Sequence, residues 1–472
     1  ENRYVSLPSL RLPEGYIKGT VGAGDAFCAG VLYGAQKRWA LPESIRLGTC
    51  AAAASLSEPG ASEGVGTAEE VLKLWDRFGG WEENGKMKAA MYGGGNIGRG
   101  FIGMLFSMSG YEVTFIDVAE PVIEGLNREK KYPVRIVSSE GHEDIEVTNV
   151  CAVNGNDQEA AAEAIAEADI MATAVGVNVL KYIVPNLAAG IRKRMQRQGG
   201  PLNIIICENL LDANKVLEGM IKEKLTEKEA SWFEQNIGLV EASIGRMVPV
   251  QTEEMKAGNP LRVCVERYGF LPVDKAAFKG GIPEIQNMIP FEPFDFYIRR
   301  KLFVHNMGHA VCAYLGLYTH RDYISEAIEA PCIQNIVQNA MLESALALSR
   351  AYGVSVEPLI RHFQDLLMRF KNRALKDTCS RVGGDPKRKL SPTDRLTGAS
   401  LLCLENGIYP VFISVGTAGA VYEYIRESGE EQSMEKARQV LGMIACLEES
   451  SPLWFYILPF YQRYMDGVSV RE

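Results

Sequence analysis

The 472-residue chain is 47% hydrophobic and 23% charged, with a formal net charge of −9. That length accommodates two or three domains with separate cores, and the acidic balance argues against a general nucleic-acid binder. No uncharged apolar run reaches the ~20 residues that a membrane-spanning helix needs; the longest, at 409–422, is interrupted by Pro410, Gly416 and Gly419. Ten cysteines are scattered without a CxxC pair, the pattern of reduced thiols in a cytoplasmic protein rather than of a disulfide framework or a zinc site. No N-terminal signal pattern is visible.

The chain opens at Glu1 without an initiator methionine and soon reads Lys18-Gly19-Thr20-Val21-Gly22-Ala23-Gly24-Asp25. Helical patterns follow at 25–37, 42–56 and 68–78. Backbone N–H groups of Gly22, Ala23 and Gly24 at a helix start suit a developing phosphoryl charge. Asp25 beside them suits taking a proton from an attacking hydroxyl. These residues resemble the C-terminal signature of the ribokinase-like (PfkB) carbohydrate kinases, where the matching aspartate is the catalytic base. The resemblance spans roughly residues 1–78 but only the last quarter of such a kinase, without most of its sugar contacts. Residues 1–80 are therefore expected to be a vestigial, partial α/β kinase fragment without turnover. Gly79, Gly80 and the polar linker 81–86 make a hinge. Met87 reads as the former start of a separate protein, and the missing initiator methionine points to a longer two-function chain.

After Met87 a short apolar strand ending in Tyr92 runs into Gly93-Gly94-Gly95-Asn96-Ile97-Gly98-Arg99 and then an apolar-periodic helix. This is a GxGxxG dinucleotide turn in its proper setting. Gly93 allows the turn, Gly95 lets a pyrophosphate approach, and Gly98 lets helix pack on strand. The next strand ends in Asp117, placed to accept hydrogen bonds from ribose hydroxyls and to repel a 2′-phosphate, which selects NAD over NADP. Strand patterns at 89–92, 113–116, 170–174, 203–207 and 263–265 alternate with helical ones such as 158–168 and 179–194. Residues 87–281 thus read as a Rossmann-type, doubly wound α/β domain. Beyond 282 the strand signal fades. Helical patterns at 297–315, 327–352, 358–372 and 433–447 make residues 282–472 a mostly α-helical second domain.

In that domain one helix carries Lys301, Asn306 and His309. At about 100° per residue, His309 lies near 80° and Asn306 near 140° from Lys301. Phe303, Val304 and Met307 occupy the opposite face. The apolar continuation after His309 places this helix inside the protein, where polar groups need partners. The Gly93–Gly98 fingerprint, Cys207-Glu208-Asn209, the run Tyr268-Gly269-Phe270-Leu271-Pro272-Val273-Asp274 and Lys301…Asn306…His309 together resemble the polyol-specific long-chain dehydrogenases, over essentially all of 87–472. The match is to the phosphate-using branch.

The resemblance implies a metal-free, NAD-dependent hydride transfer between a hexitol phosphate and a ketose phosphate. Lys301 would be the general acid/base, its pKa lowered by burial or by cations such as Arg300. Asn209 and Asn306 would donate to the oxygen where charge develops, and His309 would hold substrate and lysine in register. Between 371 and 389 seven basic residues face two acids. Of these, Arg381, Lys387 and Arg388 are candidates for the substrate phosphate. Ser391-Pro392-Thr393-Asp394 reads as a helix start capped by Ser391. Two positions depart from the family pattern: Gly94 for alanine, and Gly245 for an aspartate, which leaves the partner of Arg246 open. The expected partner is a small molecule, with neither nucleic acid nor membrane; oligomeric state is left open.

Overall fold

The computed structural model describes residues 7–470 apart from 8, 11, 14, 61–62, 79–86, 211 and 250. The expected hinge at 79–86 lies outside the described residues. Two units separate, Glu1–Lys86 and Met87–Glu472.

In the first unit helices span Ala23–Gln36, Leu41–Ser55 and Ala68–Phe78. The first two approach closely because glycines meet where they cross: a Cβ on Gly30 would fall 2.7 Å from Gly48 Cα. Leu47, Cys50, Ala51, Ala54 and Val71 form the small core. The described residues of this unit form helices and no strand, so its expected α/β character is represented by the helical part alone.

The second unit contains β1 (Lys88–Tyr92), β2 (Glu112–Asp117), β3 (Lys131–Ser138), β4 (Gly141–Thr148), β5 (Val150–Asn154), β6 (Ile170–Thr173), β7 (Leu202–Ile206), β8 (Ile237–Glu241), β9 (Val263–Val265), β10 (Leu271–Asp274) and β11 (Met288–Phe291). Six of them build one sheet in the order β5-β2-β1-β6-β7-β8, every pair parallel. Helices cover both faces, so central strands are mostly apolar; all five residues of β7 are buried. Asn203, the polar member of β7, is satisfied by Lys279: its Nδ2 donates to Lys279 O at 3.0 Å and its Oδ1 accepts from Lys279 N at 2.8 Å. Phe101, Leu105 and Phe115 pack on one face; Ile165, Leu187 and Leu217 pack on the other.

Four sheet strands expected from sequence stand within a residue or two of their places. The fifth, β9, leaves the main sheet. It pairs parallel with β3, which pairs antiparallel with β4. β11 also continues strand structure past 282, pairing with β10.

The remaining chain is helical around a core that includes Val304, Met307, Tyr314, Leu348 and Val421. The helix expected at 327–352 is two, Ile324–Glu329 and Pro331–Tyr352, because Pro331 lacks an N–H and starts the second. No helix begins at Ser391. Residues 391–396 are turns, and the helix starts at Thr397.

The two halves of this unit are pinned together by a buried ion pair. Arg369, in helix Glu357–Phe370, donates through Nε to Glu266 Oε2 at 2.8 Å and through Nη2 to Gly245 O. Its guanidinium lies over the Tyr268 ring, 4.2 Å from the centroid. Replacing Arg369 by methionine strands the Glu266 carboxylate in the interior. The expected cost is about 3–5 kcal/mol, read as a lowered midpoint in thermal or urea unfolding.

Candidate active site

The glycine loop is built as the motif requires. Gly93 has φ +99°, and a Cβ there would fall 2.4 Å from Ala174 O. A Cβ on Gly98 would come to 1.8 Å of Gly93 O, whereas one on Gly95 would meet nothing within 4 Å. Only the middle glycine faces open space, the position at which a pyrophosphate approaches. Asp117 Oδ2 accepts from Gly94 N at 2.5 Å, and Oδ1 accepts from Val118 N and Ala119 N at 2.7 and 2.8 Å. A carboxylate accepts about four hydrogen bonds, so room is left for a ribose hydroxyl.

Tyr92 and Arg99 are buried beside the loop. The Tyr92 hydroxyl accepts from Asn186 Nδ2 at 2.7 Å. Arg99 is buried, donating through Nε to Gly94 O at 2.6 Å and through Nη1 to Leu261 O. Asn96 and Ile97 do face a cleft.

The chain then supplies a second element. Asp295–Arg300 and Met307–Tyr318 are α-helical, but Lys301–Asn306 between them is a widened π turn. The glycine-loop helix has the same feature at Gly98–Ile102. Such turns occur preferentially where a helix must present side chains irregularly. On the regular-helix projection His305 falls about 40° from Lys301, and the structure places it with Lys301, Asn306 and His309 on the cleft side. Phe303, Val304 and Met307 are buried on the other face as expected.

A cleft of about 650 Å³ brings the elements together. Asn96 and Ile97 line it with Asn209, Lys301, Asn306, His309, Arg381, Arg388, Lys389 and Arg395. A smaller adjoining pocket shares Asn209, Lys301, Asn306, Arg388 and Arg395, and adds Glu208 and Glu241. Glu208 fixes the neighbouring loop, accepting from Val175 N at 2.9 Å and Gly176 N at 2.8 Å.

Burial, with the Arg395 guanidinium adding to it and the Cys207 thiol opposing, lowers the Lys301 pKa to about 8. The responsible cation is thus Arg395, not the sequence neighbour Arg300, which stacks on Tyr297 at 4.3 Å. His309 stacks on Phe370 with ring centroids 4.7 Å apart, and its Nε2 lies 3.1 Å from Asp377 Oδ2. Burial opposes ionisation of Asp377, yet His309 and Arg381 together hold its pKa below the usual carboxylate value.

The basic segment divides into paired and unpaired cations. Arg381 donates to Asp377, Arg388 to Asp385 and Asp394, and Arg395 to Asp394. Lys387 is exposed and lines neither pocket. Lys389, by contrast, is 3% exposed, and burial together with Arg395 and Arg388 lowers its pKa to about 8. It is a cation on the cleft that sequence alone does not separate from its solvated neighbours; Asp377, inside the same charge run, is likewise not singled out. Arg246, which follows Gly245 where an aspartate is expected, is buried and donates to Gly100 O and Glu266 O, both at 3.0 Å, with the Glu266 charge acting on it.

In the first unit Gly22 has φ +82° just before helix Ala23–Gln36, and Asp25 is exposed in its first turn.

Residues 87–287 match the mannitol dehydrogenase Rossmann domain, 294–441 the mannitol dehydrogenase C-terminal domain, and 8–68 the pfkB family carbohydrate kinase. The mannitol-1-phosphate 5-dehydrogenase of Thermoanaerobacter pseudethanolicus is 37% identical over 385 residues, 80% of this chain and 97% of the relative. That of Brevibacillus brevis is 37% identical over 356 residues, 75% and 91% of the two chains. Among solved structures, substrate-free D-sorbitol dehydrogenase superposes with TM-score 0.67 at 14% identity, covering 82% of this chain and 95% of that one. Pseudomonas fluorescens mannitol 2-dehydrogenase, in ternary complex with NAD and D-mannitol, gives 0.62 at 12% identity, covering 82% and 92%. These two share the fold.

Proposed function

Because the chain belongs to the mannitol dehydrogenase family, we propose that it is an NAD-dependent oxidoreductase interconverting D-mannitol 1-phosphate and D-fructose 6-phosphate. The observation carrying this reading is Lys301, at a pKa of about 8, in one cleft with Asn209, Asn306 and the glycine loop. The cofactor's place is supported by the open space at Gly95: the loop from Gly93 to Gly98 would hold the pyrophosphate and Asp117 a ribose hydroxyl. Bound NAD supplies the hydride acceptor, and NADH the donor for the reverse direction.

Lys301 accepts the proton of the reacting alcohol in oxidation and returns it to the ketone oxygen in reduction. Asn209 and Asn306 donate to that oxygen as charge develops. Oxidation needs the neutral amine and reduction the ammonium. With the lysine at about 8, kcat/KM for oxidation is expected to rise with pH and level off above that value. For reduction it is expected to be level below that value and to fall above it. Profiles flat in both directions across this range would remove the lysine from proton transfer.

The phosphate end meets Lys389, with Arg381 and Arg388 at the rim. A hydrogen bond between charged groups contributes about 1.5–3 kcal/mol, so Lys389→Ala is expected to raise KM for fructose 6-phosphate by about tenfold or more. Lys387→Ala, off the cleft, leaves it unchanged. A Lys389→Ala enzyme with an unchanged KM would favour the second reading, a related hexitol substrate without phosphate. For the first unit, ATP consumption with fructose is expected to be nil.

A further inference from the structure

We propose that Asp377 is a positioning residue of the reaction, fixing with its two carboxylate oxygens the imidazole of His309 and the guanidinium of Arg381. The inference rests on the functional reading above. Asp377 Oδ2 stands 3.1 Å from His309 Nε2. Oδ1 accepts from Arg381 Nε at 2.8 Å and from Nη2 at 2.5 Å. The Asp377 side chain is 12% exposed, and all three residues line the cleft with Lys301.

The backbone around Asp377 is itself held. Asp377 O accepts from Ile324 N at 2.9 Å, and Thr378 bridges to Tyr323. His309 is pressed against Phe370 from another side, so its ring has little freedom to turn. Its buried Nε2 makes no hydrogen bond of full geometry among the described residues, so the approach to Asp377 Oδ2 is an electrostatic contact.

Two consequences follow for the chemistry. A neutral imidazole donates from one nitrogen and accepts at the other. A proton on Nε2, the nitrogen that stands 3.1 Å from Asp377 Oδ2, leaves Nδ1 as the acceptor, suited to a polyol hydroxyl or to a lysine N–H. Arg381 is gripped by Nε and Nη2, which leaves Nη1 with no hydrogen bond among the described residues. A fork held on one edge keeps its other edge pre-oriented for an anionic oxygen. One carboxylate thus sets a hydroxyl acceptor and an anion donor on the same wall of the cleft.

The test compares wild-type enzyme with Asp377→Asn and Asp377→Glu, using NADH and fructose 6-phosphate. In Asp377→Asn, kcat is expected to fall and KM for the sugar phosphate to rise, each by about tenfold or more. KM for NADH and the thermal midpoint are expected to stay at wild-type values, and Asp377→Glu to recover part of the loss. Equal sugar-phosphate constants in wild type and Asp377→Asn would overturn the proposal, as would a loss shared equally with KM for NADH.

A second readout needs no variant of Asp377. The chain has five histidines, so ¹⁵N-histidine spectra of wild type and His309→Gln assign the His309 ring. The proposal expects the Nε2–H form, and an Nδ1–H ring would overturn it. Wild-type enzyme inactive on fructose 6-phosphate would contradict the substrate reading, while the ring spectrum would still decide the role of Asp377.

Discussion

Replacing Lys301 by alanine is expected to lower kcat for fructose 6-phosphate reduction by about 10²–10⁴-fold, the usual contribution of a positioned acid/base. Folding is not expected to suffer. The amine sits with no carboxylate partner among the described residues, and its lowered pKa shows that its surroundings disfavour the charge. Removing it leaves no orphaned counter-ion, so the thermal midpoint should hold or rise. KM for NADH should change little, because the glycine loop reaches the cleft through Asn96 and Ile97 on a different element. Lys301→Arg separates proton transfer from mere positive charge. A guanidinium keeps its proton at any working pH, so that variant should be as inactive as alanine. Substantial turnover by Lys301→Arg would reduce Lys301 to an electrostatic anchor.

The second large effect is expected at Gly98. A methyl group there meets Gly93 O at 1.8 Å, a separation that only a shift of the loop relieves. Alanine gains about 1 kcal/mol of helix propensity over glycine, but that gain is the smaller term. A displacement of about 1 Å in a positioning element can cost 10²-fold. Gly98→Ala is therefore expected to weaken NADH binding about 100-fold and to lower the thermal midpoint. Gly95→Ala is the informative partner. Its methyl meets nothing within 4 Å, so the fold should be as stable as wild type, yet NADH affinity should still fall because the methyl occupies the approach to the backbone. Wild-type NADH affinity in Gly95→Ala, measured by fluorescence titration, would move the cofactor away from this loop.

The features legible in the sequence are those in which local chemistry dictates the outcome. A glycine at φ +99° and two more where a side chain finds either a carbonyl or open space leave a fingerprint of residue types. The burial of Phe303, Val304 and Met307 opposite Lys301 is likewise written in helical spacing. What was hidden depends on which distant element arrives. The run Val263-Cys264-Val265 reads as a buried strand in any sheet, and its pairing with β3 is set by the β3–β4 hairpin. That hairpin did carry a signal: Tyr132, Val134 and Ile136 alternate into the core, although β4 opposite is mostly exposed. The π turn at Lys301–Asn306 has no sequence signature, although the face of the helix that it presents to the cleft is the one helical spacing gives.

The electrostatics were the least legible part. A run of seven basic residues looks uniformly solvated. Folding nevertheless buries Lys389, leaves Lys387 in water and hands Arg381 to Asp377. Arg395, 94 positions away in sequence, is the cation that acts on Lys301, while the adjacent Arg300 turns onto the Tyr297 ring.

The most direct measurement is NADH oxidation by this chain with fructose 6-phosphate against free fructose at equal concentration. Burial of Lys389 beside Arg388 and Arg395 on the cleft predicts a kcat/KM at least about 100-fold higher for the phosphorylated sugar, near the upper worth of one charge-assisted hydrogen bond. Equal values for the two sugars, or turnover of fructose alone, would contradict the account.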